Sequence, residues 1–148
     1  MRPQRPSAKR GSALLEFSVA ILTVLTTLFG AIETGRLILT YVAIAEAARE
    51  GVRYAVVHGA NRTGSGVNGP SSQSSHTQVD TVVINAAAAA GFTITAPTNI
   101  TVTYSNTTSA VVGSTVLVTV TYTFTPATPL VSALSVSLSS TSQGSICY

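Results

Sequence analysis

Charge is scarce in this chain of 148 residues, with 9% Asp, Glu, Lys and Arg against 45% hydrophobic residues. Mean hydropathy is +0.42. From Thr63 to Tyr148 the only charged residue is Asp80. Catalytic and metal-binding residue types are equally sparse: 2 histidines (His58, His76), 1 cysteine and a single aspartate. His76 and Asp80 make no recognised site by spacing, so neither catalysis nor a metal or other cofactor is expected. The one cysteine, Cys147, cannot close an intramolecular disulfide. It reads as a free thiol near the terminus, with crosslinking to a neighbouring subunit as the alternative.

The few charges are unevenly placed. Arg2, Arg5, Lys9 and Arg10 all precede Gly11. Without residues 1–10 the balance of 8 basic to 5 acidic becomes 4 to 5. The pI of about 9.4 therefore describes the leader, and no basic patch remains to hold nucleic acid.

After the leader comes a long apolar run. From Ser12 to Ile32 the only charge is Glu16. A helix of that length covers roughly 31 Å, enough for a hydrocarbon core of about 30 Å. Basic residues before such a span place the N-terminus in the cytoplasm and the rest outside. A carboxylate inside it is costly in lipid and is usually paired or functional.

The helical pattern continues past the span, without Pro, to Val57. Leu37, Tyr41, Ile44, Ala48, Val52 and Ala55 recur at helical spacing and predict a buried stripe. Glu33–Arg36, Glu46–Arg49 and Glu50–Arg53 are i,i+3 pairs. All three pairs fit a solvated face, or a face that sets subunit register. Ala31, Gly35, Ala43, Ala47, Gly51 and Ala55 fall on spacings of four or eight, a pattern that lets another backbone approach closely. Gly35 and Gly51 each forgo about 1 kcal/mol of helix propensity relative to Ala, which favours packing over accident.

Composition then shifts to Gly, Ser and Asn, and residues 60–75 read as a flexible loop. A second helix is expected over Thr77–Ala90, with capping-box spacing at Ser75 and Gln78 and Gly91 at its end. Strands are expected at Phe92–Ala96, Ile100–Tyr104, Thr115–Phe124 and Leu134–Ser139 from their alternation. The whole reads as α+β: a long N-terminal helix, membrane-spanning in its first half, with a short second helix and a 3–4-stranded, mainly antiparallel sheet on its outer half. The domain limits are 1–11 for the leader, 12–34 for the spanning helix and 35–148 for the extracytoplasmic domain, with 142–148 as a tail. Asn61, Asn99 and Asn106 begin N-glycosylation patterns that read as accidental in so Ser/Thr-rich a chain.

Two stretches resemble a known family. Arg10 to Gly59 includes Gly11-Ser-Ala-Leu-Leu-Glu16-Phe17, Phe29-Gly30-Ala-Ile-Glu33 with Gly35-Arg36, and Ala47-Ala-Arg-Glu-Gly-Val-Arg-Tyr-Ala55. Val116 to Pro126, with Thr128-Pro129-Leu130, is the second. Together they resemble the TadE-like pseudopilins of bacterial tight-adherence (Flp) pili, within the type IV filament superfamily. That resemblance implies cleavage between Gly11 and Ser12 by a prepilin peptidase and a part for Glu16 in subunit alignment. Phe17, Glu33, Gly35 and Arg36 join it as expected assembly residues. The implied partners are membrane lipid before assembly, the inner-membrane pilus assembly machinery, and copies of itself or other pilin subunits. The implied location is the bacterial inner membrane first and an extracellular filament or the cell surface afterwards. Two rival readings are an uncleaved membrane-anchored surface protein and a secreted binding domain released at Ala43-Ile-Ala45.

Overall fold

The first half of a single 50-residue helix stands alone, while its second half is the spine of a small α+β head. A computed structural model describes residues 8–60, 72, 74–106, 110–128 and 134–147. The leader up to Ser7, most of the loop expected over 60–75, Arg62, Thr107, Pro129 and Tyr148 lie outside the described residues. Helix α1 runs Ala8–Val57 and α2 runs Thr77–Ala89. Strands β1 (Ile100–Tyr104), β2 (Thr115–Phe124) and β3 (Val136–Ser145) form an antiparallel sheet in the order β1-β2-β3.

The core follows from two periodicities. Along β2, Val116, Val118 and Val120 point inward and are fully buried, while Leu117 and Thr119 between them face out. Ile100, Val102 and Tyr104 of β1 face the same way. From α2, Val79, Val83 and Ala87 lie one helical turn apart and are buried. Against these sit Ile44, Ala47, Ala48, Gly51, Val52 and Ala55 of α1. The expected stripe is displaced at one end. Tyr41 is 48% exposed and Thr40 takes the buried place, its hydroxyl donating to the Arg36 carbonyl at 2.9 Å.

The small-residue seam does not stay on one side. Each four-residue step advances by about 40° around the helix. Ala31 and Gly35 are therefore exposed, whereas Ala47, Gly51 and Ala55 face the core. A Cβ on Gly51 would lie 2.5 Å from Val83 Cγ2 and 3.2 Å from Val118 Cγ1, and one on Gly35 would meet nothing within 4 Å.

Three expectations are corrected. Phe92–Ala96 is not a strand, because its backbone is engaged by a side chain in place of a ladder. Thr95 N donates to Asn99 Oδ1 at 3.1 Å, and Asn99 Nδ2 donates to the Thr121 carbonyl at 3.0 Å. The capping box is absent: His76 occupies the N-cap of α2 and makes no side-chain cap bond. The C-terminal end does match its signal. Gly91 has φ +85° and donates to the Ala88 carbonyl at 3.0 Å, and Phe92 N donates to the Ala87 carbonyl at 3.0 Å, a Schellman closure.

The third correction concerns the C-terminus. The stretch expected as a tail from Ser142 is the end of β3, which runs to Ser145, and the Ile146 that follows it is buried. Apolar alternation fades after Leu138 because α1 passes close beneath the strand. A Cβ on Gly144 would lie 2.6 Å from Val52 Cγ1 and 2.7 Å from Val56 Cγ2. No side chain fits at Gly144, and Ser140 and Ser142 before it are polar, so these inward positions carry no apolar signal. His58, just past the end of α1, is buried. Its ring stacks on Tyr54 at 3.8 Å between centroids, and it is 8% exposed.

Candidate functional site

The exposed half of α1 is the feature that needs a function. Leu14, Leu15, Phe17, Val19, Leu22 and Val24 are each more than 60% exposed. The helix is long and apolar enough to cross a membrane, and its most apolar window has a mean hydropathy of 1.9 with none of it buried. Its hydroxyls are compatible with lipid. Ser18, Thr23, Thr26, Thr27 and Thr34 each donate to a carbonyl one turn earlier, at 2.8–2.9 Å. No hydroxyl proton among these five is left without an acceptor, which is what a hydrocarbon environment demands. Sequence reading passed over these residues because back-bonding is visible only once the helix is built.

Glu16 and Phe17 lie on this exposed surface, and Glu16 makes no ion pair among the described residues. Gly11 and Ser12 lie within the first turns of α1 as it stands. Gly35 is exposed at the far end of the span. The expected processing and assembly residues are thus strung along one helix and do not form a pocket.

Glu33 and Arg36 differ from the others, because the head itself engages them. The Glu33 side chain is 11% exposed and pairs with Arg36 at 2.8 Å. Its other oxygen accepts the backbone N–H of Ala127 at 3.0 Å and of Thr128 at 3.1 Å. The Arg36 guanidinium lies 5.6 Å from the centre of the Phe124 ring, within cation–π range. A carboxylate holding two N–H donors makes charge-assisted bonds worth about 1.5–3 kcal/mol each. This clasp ties the β2–β3 connection to α1 at the foot of the head.

Higher on α1, Glu46–Arg49 and Glu50–Arg53 pair at 3.2 and 2.9 Å on the exposed face. Pairs so open to solvent contribute about 0–1 kcal/mol. Inside the head, Asp80 Oδ1 is buried without a hydrogen-bond partner among the described residues, and Oδ2 lies 3.7 Å from His76 Nε2. Burial raises the Asp80 carboxyl above its ordinary range, and the nearby His76 pulls it back down.

An unaccompanied apolar helix that becomes the core of its own α+β head is consistent with a membrane anchor continuous with a folded domain. Residues 11–53 match the family of TadE-like proteins. The match covers the anchor and the first part of the head, under a third of the chain, and coincides with the first of the two stretches that carry the resemblance. No curated protein and no solved structure matches the chain.

Proposed function

We propose that this chain is a pilin-like structural subunit, a pseudopilin or pilin. In this reading a prepilin peptidase cuts between Gly11 and Ser12, and the apolar half of α1 moves from the bilayer into the core of an extracellular pilus used for adhesion or surface attachment. The observation that carries the reading is the partnerless apolar half of α1 joined without a break to a folded head. The TadE-like match over residues 11–53 points to the same pilus-associated, structural class.

Physical logic supports a role for Glu16. Bundled anchors exclude water, and a carboxylate there needs a cation. Cleavage would create an amine at Ser12, and on a neighbouring subunit that amine would pair with Glu16 and favour one axial register. Phe17 and the open backbone at Gly35 would lie against the same neighbours. The secreted reading fits poorly. A cut after Ala45 would remove Ile44, which is fully buried in the head.

N-terminal sequencing of the extracellular form tests the proposal. Ser12 is the expected first residue, Met1 would indicate an uncleaved anchor, and a start near Glu46 a secreted module. Gly11→Leu should hold the protein at full mass in the membrane. Glu16→Ala should be cleaved yet give few sheared filaments, and filaments at normal yield would remove Glu16 from assembly.

A further inference from the structure

We propose that the outer edge of β3, which pairs with no strand among the described residues, and the flank of α1 beside it receive an extended strand of another protein, one that alternates apolar and small polar residues. The inference concerns the head alone and rests on neither cleavage nor filament assembly.

Register shows which backbone groups face outward. Thr121 N donates to the Asn99 carbonyl and Ser105 N to the Thr115 carbonyl, so the odd-numbered residues of β2 bond toward β1. The even-numbered ones bond toward β3, at Gly144, Ser142, Ser140, Leu138 and Val136. The N–H and C=O groups of Ser137, Ser139, Thr141, Gln143 and Ser145 therefore point away from the sheet. Cys147 continues that series, and its N–H leaves the sheet for the Val56 carbonyl at 3.0 Å. Edges of this length are ordinarily blunted by charge, proline or a bulge. β3 has 10 residues, no charge and no proline, and its pairing with β2 is unbroken.

The flank of α1 supplies the second observation. β3 begins opposite Phe124, over which Arg36 lies, and its Gly144 sits against Val52 and Val56. Strand and helix thus run side by side for roughly 30 Å. Counting 100° per residue, Ile38, Tyr41 and Ala45 lie on the same side of α1 as Val52 and Val56. Ile38 is 54% exposed and Tyr41 48%, and Val136 at the foot of β3 is 41% exposed. A strand added at the edge would lay every second side chain over this flank, so apolar residues are required there. The opposite face of the sheet is Ser and Thr, which sets the polar alternation.

A second copy of this chain fits badly in each arrangement. Antiparallel β3–β3 pairing has its two-fold axis perpendicular to the sheet and would send the two anchors in opposite directions, which one bilayer forbids. Parallel β3–β3 pairing would turn the copy's Ser/Thr face onto Ile38 and Tyr41. A copy offering β1 has only 5 residues to pair, and Val102 and Tyr104, whose backbones face that edge, already have partners.

The test uses the full chain in detergent micelles and, as probe, an alternating threonine–valine peptide of about eight residues flanked by lysines, long enough to span the five outward-facing residues. Amide exchange should slow at Ser137, Ser139, Thr141 and Gln143 as peptide saturates. Ser139→Pro removes an outward donor and no bond of the sheet among the described residues, so it should melt like the parent and bind at least tenfold more weakly. Tyr41→Lys, which leaves β3 untouched, should weaken binding severalfold and serves if the proline variant misfolds. Unchanged exchange at those four amides, or unaltered affinity in the variants, would overturn the proposal. Protection that grows with protein concentration in the absence of peptide would overturn it in favour of a second copy.

Discussion

The carboxylate of Glu33 accepts the backbone N–H of Thr128, 95 residues further along the chain, at 3.1 Å. Through this bond and its neighbour at Ala127, the end of the exposed apolar half of α1 holds the connection between the two longest strands. Neither residue has a side-chain pattern that marks the contact, since the donors are main-chain groups.

Removing this clasp should loosen the foot of the head. Glu33→Ala is expected to destabilise the full-length protein in micelles by about 2–3 kcal/mol, because two N–H donors and Arg36 lose their acceptor together. Glu33→Gln keeps an acceptor and should cost less. Thermal melts read both, and an Ala variant that melts with the parent would show that solvent replaces the carboxylate without loss.

Glycines on α1 should separate by position. Gly51→Leu forces a side chain into Val83 and Val118 and should lower stability by about 1–3 kcal/mol or more, despite the gain in helix propensity. Gly35→Leu has open space around it and should leave the melt unchanged. Its effect is expected on filament yield. If both melt and yield survive both substitutions, the small residues are accidents of composition.

Gly144 makes a sharper case, because nothing in its sequence context marks it. A methyl group there meets two valine side chains on the crowded side of β3. Gly144→Val should separate β3 from α1 and cost about 2–3 kcal/mol. Shortening the obstacle with Val52→Ala in the same chain should recover part of that loss. Independent, additive losses in the double variant would mean that the contact is not the cause.

Asp80 should make stability depend on pH. Its folded-state value is raised, so the folded chain holds the proton more tightly than the unfolded one. Its contribution is complete below the ordinary carboxylate range and is lost as pH rises through the raised value. Asp80→Asn removes that loss. The variant should equal the parent in acid and be at least as stable at neutral pH, as judged by melts across the range. Lower stability of the variant at neutral pH would mean that the ionised Asp80–His76 pair is net favourable.

Periodicity made the helices and β2 legible from sequence. Val116, Val118 and Val120 alternate with threonine, and α1 has neither proline nor a loop signal between Ser12 and Val57. Glu16 stands out in the sequence as the one charge between Ser12 and Ile32. What stayed hidden depends on space and not on pattern. β3 runs past its apolar alternation because its later inward positions are serine and glycine, and Gly144 lies against Val52 and Val56. Phe92–Ala96 had the residues of a strand, but Asn99 satisfies its backbone locally. Arg36 and Glu33 looked like one more surface pair, because a partner 94 residues away leaves no trace in local spacing.

That α1 is one unbroken helix makes the anchor a shaft and the head its handle. No joint between them can absorb a change in length. Inserting one residue between Glu16 and Glu33 would lift the head by about 1.5 Å and swing it through about 100° relative to Glu16. Deleting one would swing it the opposite way. The number of residues between Glu16 and Glu33 is therefore an angular setting: it decides which side of the head faces the same way as Glu16.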